Sequence, residues 1–225
     1  YIQAFYWHSY PFCIVSEQRL ASGDLKGLKL LIMPSCYYLT EEEATALSRW
    51  VREGGVLLCE AHLGGYNGTI GRHSRVLPGC GLAQAWGFHE VDSTSSYHLR
   101  LTEPPPFETT APEEVRTALR DLNTTGGHYF PVRLSDSSFA WGADRYAVLD
   151  GQGITQEGSF DGVETCIVSK QIGSGLVFYC GTNLGEGANK GADGLLRILR
   201  KCCSRAGISS TLGVVPEVPG SIHLD

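Results

Sequence analysis

The chain has 225 residues, 42% hydrophobic and 19% charged, with a net charge of -6. That length and balance suit one sizeable α/β domain with its own core and exclude a disordered chain. Scattered basic residues exclude a nucleic-acid footprint, and strand-sized apolar runs exclude a helical membrane span.

Tyr1 to His8 is aromatic-rich and reads as the end of an amphipathic helix, and Phe12 to Ser16 reads as a strand. The pattern therefore starts on a helix and lacks the strand expected before it. With no initiator Met and no signal-peptide pattern at Tyr1, the chain is expected to be part of a longer protein. The clearest unit follows. Leu28 to Met33 is a short apolar run closed by Pro34, as in a buried parallel strand. Thr40 and Glu43 have capping-box spacing, and Ala44, Leu47, Trp50 and Val51 share one helical face. Gly54 and Gly55 end that helix, and Val56 to Cys59 is the next buried strand. A right-handed crossover of this kind implies a parallel sheet covered by helices.

Residues 61–78 form a loop bearing Gly64, Gly65, Gly68 and Gly71, with His62, Asn67, Arg72, His73 and Arg75 along it. It leaves the C-terminal end of a strand, the edge where open α/β sheets hold ligands. Glu60, His62, Asn67 and Arg72 are therefore candidate ligand-edge residues, and Asn183 joins them from a second loop over 181–191. Gly81 to Gly87 is a short helical turn. Residues 92–145 are the least regular part, with a possible strand over 97–101, a stiff Pro104-Pro105-Pro106 turn and a helix from Pro112 to Leu122. Tyr146 to Leu149 is a strand, and Val163 to Ser169 and Leu176 to Cys180 form a hairpin around Gly173. Ala192 to Ala206 is the last helix. Val214 to Asp225, with Pro216 and Pro219, reads as a linker, so the domain covers 1–210 and a linker into a following domain covers 211–225.

Glycoside hydrolysis needs two carboxylates flanking the scissile bond. The carboxylates here fall mostly on helix surfaces, as with Glu41 to Glu43, Glu113 and Glu114. Glu60 differs, because it ends a buried strand beside the glycine loop; it is a ligand contact or a loop anchor. Cys59 invites comparison with a nucleophilic cysteine, but Glu60, Ala61 and His62 follow it without a glycine-flanked elbow. His62, His73, His89 and His98 lack metal-ligand spacing, and no phosphate-binding motif accompanies the glycines, so no cofactor and no metal are expected. The eight cysteines form no CxxC pair. Cys13, Cys59 and Cys180 lie in apolar strand-like runs, which favours buried, reduced thiols and a cytoplasmic setting; one or two bridges in a secreted protein is the alternative.

Three segments together resemble the trimerisation domain of family 42 β-galactosidases, a degenerate relative of class I glutamine amidotransferases. They are Asp24 to Pro34 with the following helix and Gly54-Gly55; Leu77-Pro78-Gly79 with Trp86-Gly87-Phe88; and Ile172 to Thr182. The resemblance implies a flavodoxin-like, mostly parallel sheet with helices on both faces, placed after a TIM-barrel catalytic domain in the parent chain. It implies a non-catalytic accessory role: self-association as a trimer, and a wall for the sugar site of a neighbouring subunit. The residues alone also allow a stand-alone amidotransferase-like or sugar-binding domain, with a small-molecule site over 60–75 and 181–190.

Overall fold

The computed structural model describes residues 1–95, 112–117, 129–160 and 162–210. The strand over 97–101, the turn of Pro104 to Pro106, the end of the helix begun at Pro112 and the linker over 211–225 lie outside the described residues.

The centre of the fold is the strand–helix–strand unit read from the sequence. Strand β1 (Leu30–Met33) pairs in parallel with β3 (Val56–Glu60), and helix α3 (Glu41–Arg52) joins them. The α3 capping box is complete: Thr40 Oγ1 accepts from the Glu43 amide at 3.2 Å, and the Glu43 carboxylate accepts from the Thr40 amide at 2.8 Å. Strand β12 (Gly175–Cys180) lies on the other side of β3, also parallel. Antiparallel strands then extend the sheet: β11 (Glu164–Ile172), β10 (Thr155–Phe160), β7 (Tyr129–Leu134) and β8 (Phe139–Ala143). The order is β1-β3-β12-β11-β10-β7-β8. The fold is α/β, with its parallel part confined to β1, β3 and β12 and the remaining pairings antiparallel.

The side-chain period of two divides the core cleanly. Val56, Leu58, Phe178 and Cys180 face one layer with Phe5 of α1 (Ile2–Trp7) and Leu195, Ile198 and Leu199 of α7 (Asp193–Arg205). Leu57, Cys59, Val177 and Tyr179 face the other, with Leu20 of α2 (Glu17–Ser22), Leu47 and Val51 of α3, and Trp86 of α4 (Leu82–Trp86). Helices thus cover both faces, with a helical turn α5 over 113–117 and the short α6 (Leu184–Gly187) besides. Each fully buried Leu or Phe contributes about 1.5–3 kcal/mol relative to exposure. Two small sheets sit outside the main one: β2 (Tyr38–Leu39), β4 (Tyr66–Asn67) and β5 (Arg72–His73); and β6 (Phe88–Ser95) with β9 (Arg145–Gly151).

The β11–β12 hairpin turns at Gly173, whose φ of 62° suits glycine at this turn position. The turn also docks on α3, where a Cβ at Gly175 would come within 1.9 Å of the Val51 carbonyl oxygen. Residues 12–16 do not form the expected strand. Phe12 and Ile14 are exposed, and Ser16 is taken as the N-cap of α2, its hydroxyl accepting from the Arg19 amide at 3.3 Å. β1 therefore lies at the end of the sheet order.

All eight cysteines are free. Cys59 and Cys180 are buried as their apolar runs require, whereas Cys13 is exposed and outside any strand. In the native chain an aromatic disulfide reagent is expected to modify Cys13 at once and the half-buried Cys36 and Cys80 slowly. The five buried thiols should react only in denaturant. Rapid reaction of all eight would show a core far more open than this packing.

Candidate functional site

The C-terminal end of β3 leads into the glycine loop, with Glu60 at its last position. Glu60, at the end of β3, is only 2% exposed. Its Oε1 accepts from the Tyr1 hydroxyl at 2.6 Å and the Gly185 amide at 2.8 Å. Its Oε2 accepts from the Ser35 amide at 3.1 Å and the Ser35 hydroxyl at 3.2 Å. One carboxylate thus ties α1, the end of β1 and α6 to β3. Burial pushes its pKa above the usual carboxylate value, and these hydrogen bonds oppose the shift. Of the two readings the sequence left open, this geometry is that of an anchor.

His62 sits two residues on, in the left-handed region at φ 63°. Its amide donates to Glu90 Oε1 at 2.7 Å, and its Nε2 lies 2.6 Å from Ser93 Oγ and 3.5 Å from Glu90 Oε2. Tyr179 donates its hydroxyl to the same Glu90 Oε1 at 2.5 Å. Burial holds the His62 imidazole below its ordinary pKa, with Glu90 pulling the other way. Serine and carboxylate both approach Nε2, so this is not a nucleophile–base–acid relay, which needs the two ring nitrogens separately.

Asp144 and Arg145 also face His62. Asp144, like Ser35 and His62, is a non-glycine residue at positive φ, 59°, and its Oδ2 lies 3.3 Å from both Arg145 Nε and Asn183 Nδ2. Asn183 is 7% exposed, and its Oδ1 makes no hydrogen bond among the described residues. Asp144 thus contacts Asn183 directly and lies near enough to His62 to act on its charge. The side chain of Asn67 organises its own loop instead: Oδ1 accepts from the Thr69 and Ile70 amides at 3.0 and 3.4 Å, and Nδ2 donates to Glu41 at 3.0 Å. Arg72 pairs with Asn67 across β4 and β5 and is exposed.

Sequence reasoning passed over the tyrosines. Tyr38 pairs with Tyr66, and Tyr66 with His73, across the β2–β4–β5 sheet, so their rings stand on one face. Tyr38 and Tyr66 stack with centroids 6.0 Å apart, and Tyr66 meets His73 edge-on at 5.3 Å. Tyr37 lies beside this row, its hydroxyl 2.9 Å from His73 Nδ1 and its ring 6.3 Å from that of His62. Leu39 and Asn67, on the other face, are buried. The available signal was the Tyr37-Tyr38 pair before a capped helix, with Gly65 and Gly68 on the loop opposite.

Neither a family model nor a curated protein sequence matches the chain. Solved structures do. The β-galactosidase from Bacillus circulans sp. alkalophilus superposes on 94% of this chain with a TM-score of 0.67 at 15% identity. A catalytic mutant of a GH42 β-galactosidase from G. stearothermophilus gives 0.66 at 17% identity over 94%, and the cold-adapted β-galactosidase from Rahnella sp. gives 0.60 at 17% over 88%. The chain has their fold. It spans 28%, 26% and 26% of those three chains, about a quarter of each. At such identity the likeness carries architecture and no residue roles.

Proposed function

We propose that this chain is a non-catalytic accessory and assembly domain of a β-galactosidase-like glycoside hydrolase. The observation that carries the reading is the superposition of 94% of the chain on about a quarter of whole β-galactosidases. The local chemistry agrees. Glu60 is held at both oxygens and Glu90 at Oε1 by donors of the protein itself, whereas hydrolysis needs two carboxylates turned toward a glycosidic bond. The Cys59 thiol is fully buried, and burial pushes its pKa well above the ordinary value, opposite to what a nucleophile requires. Bond cleavage then belongs to a TIM-barrel domain of the same parent. This domain supports a trimer and lines the sugar site of a neighbouring subunit.

The N-terminal segment fits a subunit contact. Tyr6, Trp7 and Ile14 are 72%, 75% and 81% exposed, an unusual concentration of large apolar side chains at a surface. Light scattering on the purified chain is expected to give a trimer, and Trp7→Ser to shift it toward monomer. The same chain is expected to turn over neither an aryl β-galactoside nor glutamine. A clean monomer at high concentration would sink the assembly role, and turnover abolished by Glu60→Gln or Cys59→Ala would sink the non-catalytic one.

A further inference from the structure

We infer that the exposed face of the β2–β4–β5 sheet, with Tyr37 beside it, is a carbohydrate-stacking platform for a pyranose ring; the inference rests on the glycoside hydrolase reading and names the residues through which the domain meets sugar.

The first argument is that these rings are held in place but left open. Tyr37 and Tyr38 are 43% and 53% exposed. Each lies over a glycine of the loop. A Cβ at Gly65 would come within 2.1 Å of the Tyr37 ring, and one at Gly68 within 2.2 Å of the Tyr38 hydroxyl. The loop glycines therefore make room for flat tyrosine rings. Cross-strand pairing of Tyr38, Tyr66 and His73 fixes the rest. Rings that served only as core would not keep half their surface in water.

The second argument is the chemistry at the end of the row. The aromatic row runs from the Tyr38–Tyr66 pair, 20° apart in plane, through His73, edge-on to Tyr66, to Tyr37 and on to His62, each tilted to the one before. Asn183, bonded to Asp144 at 3.3 Å, has a buried amide oxygen lacking a hydrogen-bond partner among the described residues. An aromatic row that ends in fixed donors and acceptors suits a ligand with one C–H face and a hydroxyl rim. A pyranose has both. Nucleic acid would demand a basic footprint, and the chain carries a net charge of -6.

Saturation-transfer NMR on the whole chain, with methyl β-galactoside and lactose as probes, tests this. Transfer to the C–H protons of the sugar is expected, with a dissociation constant on the order of millimolar. Tyr38→Ala and Gly68→Ala, the second keeping the ring but lifting it off the loop, should each weaken binding about fivefold. Far-UV circular dichroism should not change, and Trp7→Ala should bind as the parent chain does. No transfer from the parent chain, or equal transfer from all variants, overturns the platform. So does a change of oligomeric state in Tyr38→Ala with transfer intact, which would make this face a protein contact. A trimer without transfer removes the platform and leaves the assembly reading standing; a monomer with transfer does the reverse.

Discussion

Raising the pH above about 9 is expected to destabilise the chain progressively. Cys59, Cys180 and Cys202 are buried in the two core layers, and burial pushes each thiol well above its ordinary value of 9.0. In the unfolded chain these thiols ionise from about pH 9, while in the folded chain they stay protonated. The unfolded state then binds fewer protons, and stability falls as pH rises. Each such thiol removes up to about 1.4 kcal/mol per pH unit between its unfolded and folded values, so several together weigh heavily on the small net stability of a domain this size. The phenols of Tyr1 and Tyr179 act in the same direction above 10.0, since burial and the carboxylates of Glu60 and Glu90 beside them disfavour their ionised forms. Urea titrations between pH 7 and 11 would measure the slope. Cys36, Cys80 and Cys203 are raised by burial as well, so Cys180→Ala should lower the slope between pH 9 and 10 only in part, whatever its effect at neutral pH. A fold that persists unchanged at pH 11.5 would show that these thiols are not sealed in the core.

Replacing Glu60 by alanine is expected to cost about 4 kcal/mol of stability, enough to leave a marginal domain largely unfolded at 37 °C. The Tyr1 hydroxyl, the Ser35 amide and the Gly185 amide all lose the same buried acceptor. Each orphaned donor costs about 1–3 kcal/mol, and a water entering the vacated space recovers part of this. Glu60→Gln should be milder. Its carbonyl still accepts from Tyr1 and Gly185, while its amide nitrogen meets the two donors of Ser35. The two variants also separate the charge from the hydrogen bonds. Burial raises the Glu60 pKa above 4.5, so the folded chain holds this proton more tightly than the unfolded one. Stability therefore falls as pH rises from 4.5 through the raised value, and Glu60→Gln should abolish that component. Chemical denaturation of both variants at pH 4 and pH 7 tests this. A loss below about 1 kcal/mol for Glu60→Ala would mean that the knot of α1, β1 and α6 is held by other contacts.

The sequence by itself determined the elements whose causes are local. The Thr40–Glu43 box, the 3.6-residue stripe of α3, the apolar runs of β1 and β3 and the Gly173 turn each contain their own physical reason, and each stands in the structure. Residues 12–16 show the limit. Their apolar content matches a strand, but strand formation requires a partner, and Ser16 is engaged by the helix that follows. The strands β7, β8 and β10 were not read from the sequence: β10 is broken by register shifts at Gly158 against β11, and the β7–β8 hairpin joins the sheet only through β10. At the candidate site, Glu60 was visible as a polar residue closing a buried strand. Only the tertiary structure assigned it to anchoring, because three of the groups it holds come from residues 25, 59 and 125 positions away. The tyrosine row was decided the same way. Tyr38 and Tyr66 share a face because β2 and β4 pair in one register, and a shift of one residue would have turned Leu39 outward and the rings inward. That register depends on contacts across the whole strand edge, which no single stretch of the sequence contains.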